Sequence, residues 1–129
     1  MTNKNVRIFR GDFEPFESIA DHNNINGITR YSLISNEILK GDPFHIACHV
    51  IGEDYQPSKE WRYTESHSHD YDEINIIVTD RGKLIYKYEL DGIMEVVESP
   101  ACVYIPAGVL HRCEVTSGTG SFVCLKLSK

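Results

Sequence analysis

Two histidines and a glutamate near the middle of the sequence have a spacing that suits metal binding. His67 and His69 are two residues apart, and Glu73 follows four residues after His69. In an extended strand alternate side chains point to the same face, so one strand could aim all three groups at one point. Imidazole nitrogens with a carboxylate favour Fe, Ni, Zn, Cu or Mn over calcium, which prefers oxygen ligands.

A further candidate ligand follows in the second half of the chain. Pro106 and Gly108 predict a tight turn, and His111 begins the strand-like run after it. His111 could therefore be the fourth ligand of the same ion. Four protein ligands on a metal that accepts six leave about two positions for water, substrate or dioxygen, as in a catalytic site.

Alternating apolar residues predict the strands that must position these ligands. Leu84, Tyr86, Tyr88 and Leu90 share one strand face. The run 74–78 is apolar on nearly both faces, which predicts a strand covered on two sides. Many short strands indicate an all-β sandwich or barrel. Turns are predicted between them at 80–82, 91–92, 106–108 and 117–120.

These residues carry a family resemblance. His67-x-His69-x3-Glu73, followed by Pro106-x-Gly108-x2-His111, resembles the two sequence motifs of the cupin superfamily. The resemblance implies a cupin-type double-stranded β-helix, which is a jelly-roll barrel, and a homodimer. It also implies one divalent transition metal ion (Fe, Mn, Zn or Ni) between the motifs, held by His67, His69, Glu73 and His111.

Three positions depart from the usual cupin pattern. Gly82 lies two positions later than the glycine that normally ends the first motif. Pro100 replaces a glycine expected before the second motif, and Val115 stands where an asparagine is common. These departures affect turn geometry and pocket polarity and leave the four ligand positions intact.

The N-terminal part of the chain has a less regular pattern. We expect residues 1–40 to form a strand and loop segment, with strands over 6–9 and 28–34, and residues 41–129 to form the barrel. Phe9, Phe13 and Phe16 are apolar anchors that a free linker would not carry. The segment is therefore expected to pack on the barrel or on a partner subunit.

Several side chains near the motifs are candidate pocket residues. Tyr71 and Tyr104 could act as an acid or a hydrogen-bond donor, although amphipathic packing also accounts for them. Arg62 could bind an anionic substrate, and surface placement fits it equally well. Cys113 follows His111 by two residues and should share its strand face, where it could form part of the pocket wall.

One strand carries two further histidines whose direction the pattern leaves open. His45 and His49 share a face with Ala47, opposite the more apolar face at 44, 46, 48 and 50. Either the histidine face is exposed to solvent, or it points into the barrel and His49 lines the pocket beside the metal.

The four cysteines do not form a recognisable metal or redox motif. They contain no C-x-x-C pair, which structural zinc sites and redox motifs normally need. Each lies in an apolar run, so all four are predicted to be small buried hydrophobic residues. Their positions are Cys48, Cys102, Cys113 and Cys124.

The overall charge excludes some partners. Lys and Arg number 13 and Asp and Glu number 19, so the net charge is -6 with neutral histidines. That balance argues against a nucleic-acid partner and a polybasic membrane surface, and gives no support for a strongly anionic substrate. No apolar run is long enough to span a bilayer and no signal peptide is visible, so a cytoplasmic location is expected.

Three functions are compatible with this pattern. The first is a metal-dependent enzyme acting on a small polar oxygen-bearing molecule by Lewis-acid chemistry, as an isomerase, lyase or decarboxylase. The second is a metal dioxygenase on the same scaffold. The third is a small-ligand-binding or sensory cupin without turnover. We prefer the first.

Overall fold

Nine β-strands and one short 3-10 turn make up the regular structure of the described residues. The computed structural model describes residues 6, 8–34 and 44–127. The 3-10 turn is Phe16–Ser18, and no helix in these ranges is long and apolar enough to cross a membrane. The strands are β1 (Asp12–Phe13), β2 (Ile28–Ile34), β3 (Phe44–Ile51), β4 (Asp72–Val78), β5 (Ile85–Leu90), β6 (Ile93–Glu98), β7 (Ala101–Ile105), β8 (His111–Ser117) and β9 (Gly120–Leu127).

The strands form two antiparallel sheets. The larger sheet has the order β1-β2-β3-β9-β4-β7, and the smaller has the order β6-β5-β8. Every pairing is antiparallel, which permits the short connections seen between β5 and β6 and between β8 and β9. This arrangement confirms the expected all-β, jelly-roll architecture.

The hydrophobic core lies where the inner faces of the two sheets meet. On β5, Tyr86 and Tyr88 are buried, and Leu84 just before the strand is buried with them. This confirms the face predicted from the alternating pattern. The larger sheet and β8 complete the core with Ile51, Ile77, Ile105, Val115 and Phe122.

Strand β4 differs from its prediction, since it is not covered on both sides. Asn75 and Ile77 are fully buried, whereas Ile74 and Ile76 are partly exposed and Val78 is 41% exposed. The reason is the two-layer architecture. The inner face of β4 packs against the smaller sheet, and no second layer covers its outer face within the described residues.

The described N-terminal residues extend the larger sheet. The strand predicted over 28–34 is confirmed as β2, which pairs with β3, and β1 pairs with β2 in turn. Phe16 is buried in the core, whereas Phe13 is 65% exposed. The strand predicted over 6–9 is wrong at Val6, Ile8 and Phe9, which are not in a strand. Residues 35–40 lie outside the described ranges.

The cysteine prediction holds for only part of the set. Cys124 is buried, Cys48 and Cys113 are partly buried, and all four thiols are free. Cys102 is exposed, which corrects the expectation that all four are buried. It lies on the outer face of β7, since the strand alternation turns Val103 and Ile105 inward.

The buried carboxylate of Glu114 fixes the segment that leads to His67 and His69. Glu114 is 1% exposed on the outer face of β8. Its carboxylate accepts hydrogen bonds from the backbone N–H groups of Arg62, Tyr63 and Thr64, at 2.9–3.0 Å. It also accepts one from the Thr64 hydroxyl, at 2.9 Å. Because His67 follows three residues later, Glu114 sets the path of the chain into the histidine motif.

Lys87 holds the chain just before this segment, because its ammonium group donates hydrogen bonds to backbone carbonyl groups. Lys87 pairs with Glu114 across β5 and β8, so both side chains lie on the same face of the smaller sheet. Lys87 Nζ donates to the carbonyl groups of residues 58–60. Lys87 Nζ and the Arg112 guanidinium lie 4.5 and 4.2 Å from the centre of the Trp61 ring, and both are cation–π contacts.

Replacing Glu114 with alanine should strongly destabilise the fold. Three backbone N–H groups, two of them buried, would lose their acceptor, for an expected loss of about 3 kcal/mol in the free energy of unfolding. Urea unfolding monitored by circular dichroism measures this loss. Glu95→Ala on exposed β6 is the control and should change stability by less than about 0.5 kcal/mol. Equal midpoints for the two variants would contradict the role assigned to Glu114.

Candidate metal centre

Three histidines from two distant parts of the chain meet at the open end of the core. His67 and His111 form a backbone bridge with two hydrogen bonds, His67 N–H to His111 O at 3.0 Å and His111 N–H to His67 O at 2.8 Å. Gly108 N–H donates to the His69 carbonyl at 2.8 Å, so the turn at 106–108 also binds the first motif. The ligand nitrogens of His67, His69 and His111 all lie within 4.8 Å of one another.

Backbone carbonyl groups set the protonation of two of these rings. The Nδ1 atom of His67 lies 2.7 Å from the Glu65 carbonyl oxygen, and that of His111 lies 2.9 Å from the Val109 carbonyl oxygen. A carbonyl only accepts hydrogen bonds, so each Nδ1 carries the proton and each Nε2 of the neutral ring offers a lone pair. This is the arrangement typical of metal-binding histidines.

The inward-facing nitrogens have no hydrogen-bond partner. The Nε2 atoms of His69 and His111 are buried and unpaired among the described residues. Buried polar atoms are normally paired, because an unpaired one costs about 1–3 kcal/mol. A cation at the meeting point of the three rings would satisfy these atoms, so the residues fit a divalent transition metal.

Glu73 lies beside these nitrogens and is oriented by a buried hydrogen-bond chain. Its Oε1 atom is 3.5 Å from His69 Nε2 and 3.7 Å from His111 Nε2, both longer than a hydrogen bond. Its Oε2 atom accepts from the Asn75 amide at 2.9 Å, and Asn75 Oδ1 accepts from the Tyr88 hydroxyl at 2.8 Å. These hydrogen bonds hold Oε2 away from the histidines and leave Oε1 facing them.

The surroundings of Glu73 keep it ionised. Burial raises the pKa of its carboxyl group, but the His111 and His69 rings and the Asn75 amide outweigh burial and hold the pKa far below its usual value. The same carboxylate acts on His111. Burial lowers the pKa of that imidazole, and Glu73 and the Val109 carbonyl raise it above its usual value.

A cavity of about 230 Å³ opens onto the three histidines. At ~30 Å³ for each liquid water, it could hold roughly eight water molecules, which is the size of a small-molecule site. Tyr71, Cys113 and His49, three of the candidate pocket residues, line this cavity together with Glu73. Sequence reasoning missed several of the lining residues: Asp21, His22, Arg30, Tyr86 and Lys126.

Tyr71 and Cys113 contribute neutral groups to the cavity wall. The Tyr71 ring stacks on His69 with ring centroids 4.5 Å apart and an interplanar angle of 10°. Burial, with the Glu73 carboxylate nearby, raises the pKa of the Tyr71 phenol and of the Cys113 thiol well above their usual values. Both groups therefore stay protonated at neutral pH, and Cys113 is not activated as a nucleophile.

Tyr104 and Arg62 lie away from the cavity, which corrects their assignment as pocket residues. Tyr104 is on the outer face of β7, 56% exposed, and its hydroxyl donates to the Asp72 carboxylate at 2.8 Å. The Arg62 guanidinium lies 5.2 Å from the centre of the Tyr55 ring and donates to the Tyr55 hydroxyl and the Gln56 carbonyl. Glu114 binds the backbone at Arg62 on the outer face of the smaller sheet, which directs that side chain away from the core.

His49 points into the interior. It is 6% exposed and packs between Phe16 and Phe122, with ring centroids at 4.8 and 5.1 Å. Arg30 Nη1 lies 2.7 Å from His49 Nε2, so the guanidinium donates and the ring is neutral. Burial, followed by the positive charge of Arg30, holds the pKa of His49 well below its usual value.

His22 is a cavity residue that lies far from both motifs in the sequence. It forms an isolated β-bridge with Thr64, and its ring lies 5.9 Å from the His67 ring. Its Nδ1 atom is 2.8 Å from the Ala20 carbonyl oxygen. Only the pairing of the N-terminal segment with residues 63–65 brings it here, so no local pattern could have identified it.

Comparison with known proteins supports the fold. No protein-family model and no curated protein matches the chain. Its structure is similar to KdgF from Halomonas sp., with a TM-score of 0.62, 14% identity and 95% of each chain covered. It is similar to the polyketide cyclase RemF from Streptomyces resistomycificus, with a TM-score of 0.59, 17% identity and coverage of 99% of this chain and 81% of that one. It is also similar to an RmlC-like cupin from Shewanella frigidimarina NCIMB 400, with a TM-score of 0.55, 14% identity and coverage of 95% and 96%.

The buried neutral His49 should make the metal-free protein less stable in mild acid. The folded pKa is depressed, so the unfolded chain binds the proton first, and stability falls as the pH drops below about 6.5. His49→Gln keeps an acceptor for Arg30 and removes this titration. We expect its unfolding free energy to fall less steeply, by up to ~1.4 kcal/mol per pH unit, in urea titrations with a chelator. If the unfolding free energies of wild type and variant had equal pH slopes, the pKa of His49 would not be lowered in the folded state.

Proposed function

Starting from the cupin fold of this chain, we propose that it is a metal-dependent enzyme that acts on a small oxygen-bearing molecule. The observation that carries the proposal is the group of three histidines at the cavity floor. Two of their buried Nε2 atoms have no hydrogen-bond partner, and two of the rings are held through Nδ1 by backbone carbonyls, which directs Nε2 to the common point. Such an arrangement costs stability unless a cation satisfies it.

We assign four ligands to one divalent transition metal ion: His67, His69, His111 and Glu73 through Oε1. Together with the divalent ion, three neutral imidazoles and one carboxylate give the site a net charge of about +1. A divalent ion held there supplies a Lewis acid that polarises an oxygen of the substrate. This chemistry serves isomerisation, elimination or decarboxylation.

The remaining cavity residues bind and orient the substrate. The Tyr71 phenol is protonated and can donate a hydrogen bond to a substrate oxygen from its position against His69. The Tyr88–Asn75 chain keeps Glu73 from turning away from the histidines. Phe122 and Tyr86, whose rings stack with centroids 4.8 Å apart, add apolar surface to the cavity wall.

An enzyme accounts for the cavity better than a structural metal site does. A structural site is closed by protein ligands, whereas this floor opens onto a cavity that can admit a small molecule. One protein with a similar fold, RemF, is described as a polyketide cyclase, so the fold supports catalysis elsewhere. Oxygen uptake with a substrate panel would identify the dioxygenase alternative, and binding without turnover would identify a sensory role.

Purified protein should contain close to one equivalent of a divalent transition metal per chain by elemental analysis. His111→Ala should lose most of this metal, because it removes one of the inward nitrogens. His45→Ala is the matched control, since His45 lies on β3 outside the cavity lining, and it should retain wild-type metal content. Metal-free wild-type protein that fails to take up Fe, Mn, Zn or Ni in a titration would refute the metal site.

We also propose that the chain forms a homodimer through the outer face of the larger sheet. Across five strands this face presents two apolar rows within the described residues. The first row is Tyr31, Cys48, Val123, Ile76 and Cys102, and the second is Ile34, Ile46, Leu125, Ile74 and Tyr104. A broad apolar surface of this kind is typical of a protein–protein interface.

Val123→Lys should convert such a dimer into a monomer. Val123 is at the centre of the first row, on β9, and an ammonium group there would be buried without a partner at the interface. Light scattering after size-exclusion chromatography measures the mass. Met94→Lys, at an exposed position of β6 on the other sheet, is the control and should stay dimeric. A wild-type mass of one chain would refute the dimer.

A further inference from the structure

The cavity is lined by one lysine that makes no ion pair among the described residues. Lys126 lies on β9 between His45 of β3 and Glu73 of β4, on the inward-facing side of the sheet. It is partly buried and lines the cavity. Its Nζ atom makes no hydrogen bond and no ion pair among the described residues, and lies 5.8 Å from the centre of the Tyr71 ring.

The other cations of the cavity are already paired. Arg30 Nε donates to the Glu14 carboxylate at 2.8 Å, and another of its nitrogens binds His49. Arg112 forms an ion pair with Glu89 at 3.1 Å. Of the described cations that line the cavity, Lys126 is therefore the one left to bind an anion.

A second unpaired group in the same cavity also calls for an oxygen acceptor. The Tyr86 hydroxyl is buried and has no hydrogen-bond partner within the described part of the chain. Burial raises the pKa of Tyr86 well above its usual value, so the hydroxyl remains a donor. The cavity thus offers a cation and a neutral donor, and the negative charge of Glu73 is directed at the histidines.

We propose that the substrate is a small carboxylic acid. Lys126 binds its carboxylate, and the Tyr86 hydroxyl donates a hydrogen bond to an oxygen of the same molecule. This inference rests on the proposed function, because the metal would bind the reacting end of the same molecule. The Tyr71 ring stacks on His69 and lies 5.8 Å from Lys126 Nζ. A compact acid beside this ring can therefore reach both the proposed metal and Lys126. The net charge of -6 does not oppose this, because the local charge of the cavity decides the sign of the ligand.

The test is calorimetric titration of the metal-loaded protein with oxalate, malonate, succinate and glutarate, and with the corresponding diamides. At least one dicarboxylate should bind wild type and lose about tenfold or more in affinity with Lys126→Met, because a charge-assisted contact is removed. Lys126→Arg should retain most of the affinity. Tyr86→Phe should weaken the same acid by about threefold or more. The diamides should bind wild type and Lys126→Met alike.

Lys59→Met, at an exposed position outside the cavity, is the control and should bind as wild type does. Metal content and thermal unfolding are measured on every sample, so a variant that fails to fold is recognised and Lys126→Gln replaces it. Two results with metal-loaded protein would overturn this inference alone. Either wild type binds no dicarboxylate, or Lys126→Met binds every dicarboxylate as tightly as wild type does. Unchanged binding by Tyr86→Phe overturns the part assigned to Tyr86. Wild-type protein that takes up no metal overturns the proposed function itself.

Discussion

The pair of backbone hydrogen bonds between His67 and His111 is the constraint on which the candidate site depends. It ties the segment before β4 in the larger sheet to the first residue of β8 in the smaller one. The imidazoles can then reach one point from two sheets. The bond from Gly108 to the His69 carbonyl adds a second tie at the same end. Backbone contacts of this kind fix side-chain origins firmly, which a metal or catalytic site requires.

Several buried polar side chains of the interior hold the residues that line the cavity. Tyr88 and Asn75 orient Glu73, whereas Glu14 and Arg30 hold His49 neutral. Networks with every member paired can be buried at modest cost, and they rigidify their surroundings. Three buried side-chain atoms without a hydrogen-bond partner among the described residues belong to cavity residues, namely His69, Tyr86 and His111, where a ligand can pair them.

Each sheet uses its two faces differently. The inner faces form the core and the cavity, whereas the outer face of the smaller sheet carries the Glu114 and Lys87 contacts that fix the segment leading into His67. The outer face of the larger sheet is almost free of charge and has no covering layer among the described residues. Strand β4 joins the two faces, with Glu73 on its inward side and Ile76 on its outward side.

The sequence by itself determined β2, the inward face of β5 and the group of four candidate ligands, because alternation and short motif spacings are local properties. The hairpin at Asp91 and Gly92, both with positive φ, could be predicted for the same reason. Tertiary structure alone decided the rest of the cavity. Arg62 lies near the motif in sequence but turns outward, whereas His22 and Lys126 are distant in sequence and line the cavity. Such placements depend on which strands pair and on which buried groups already have partners, and those are relations between segments that no local pattern records.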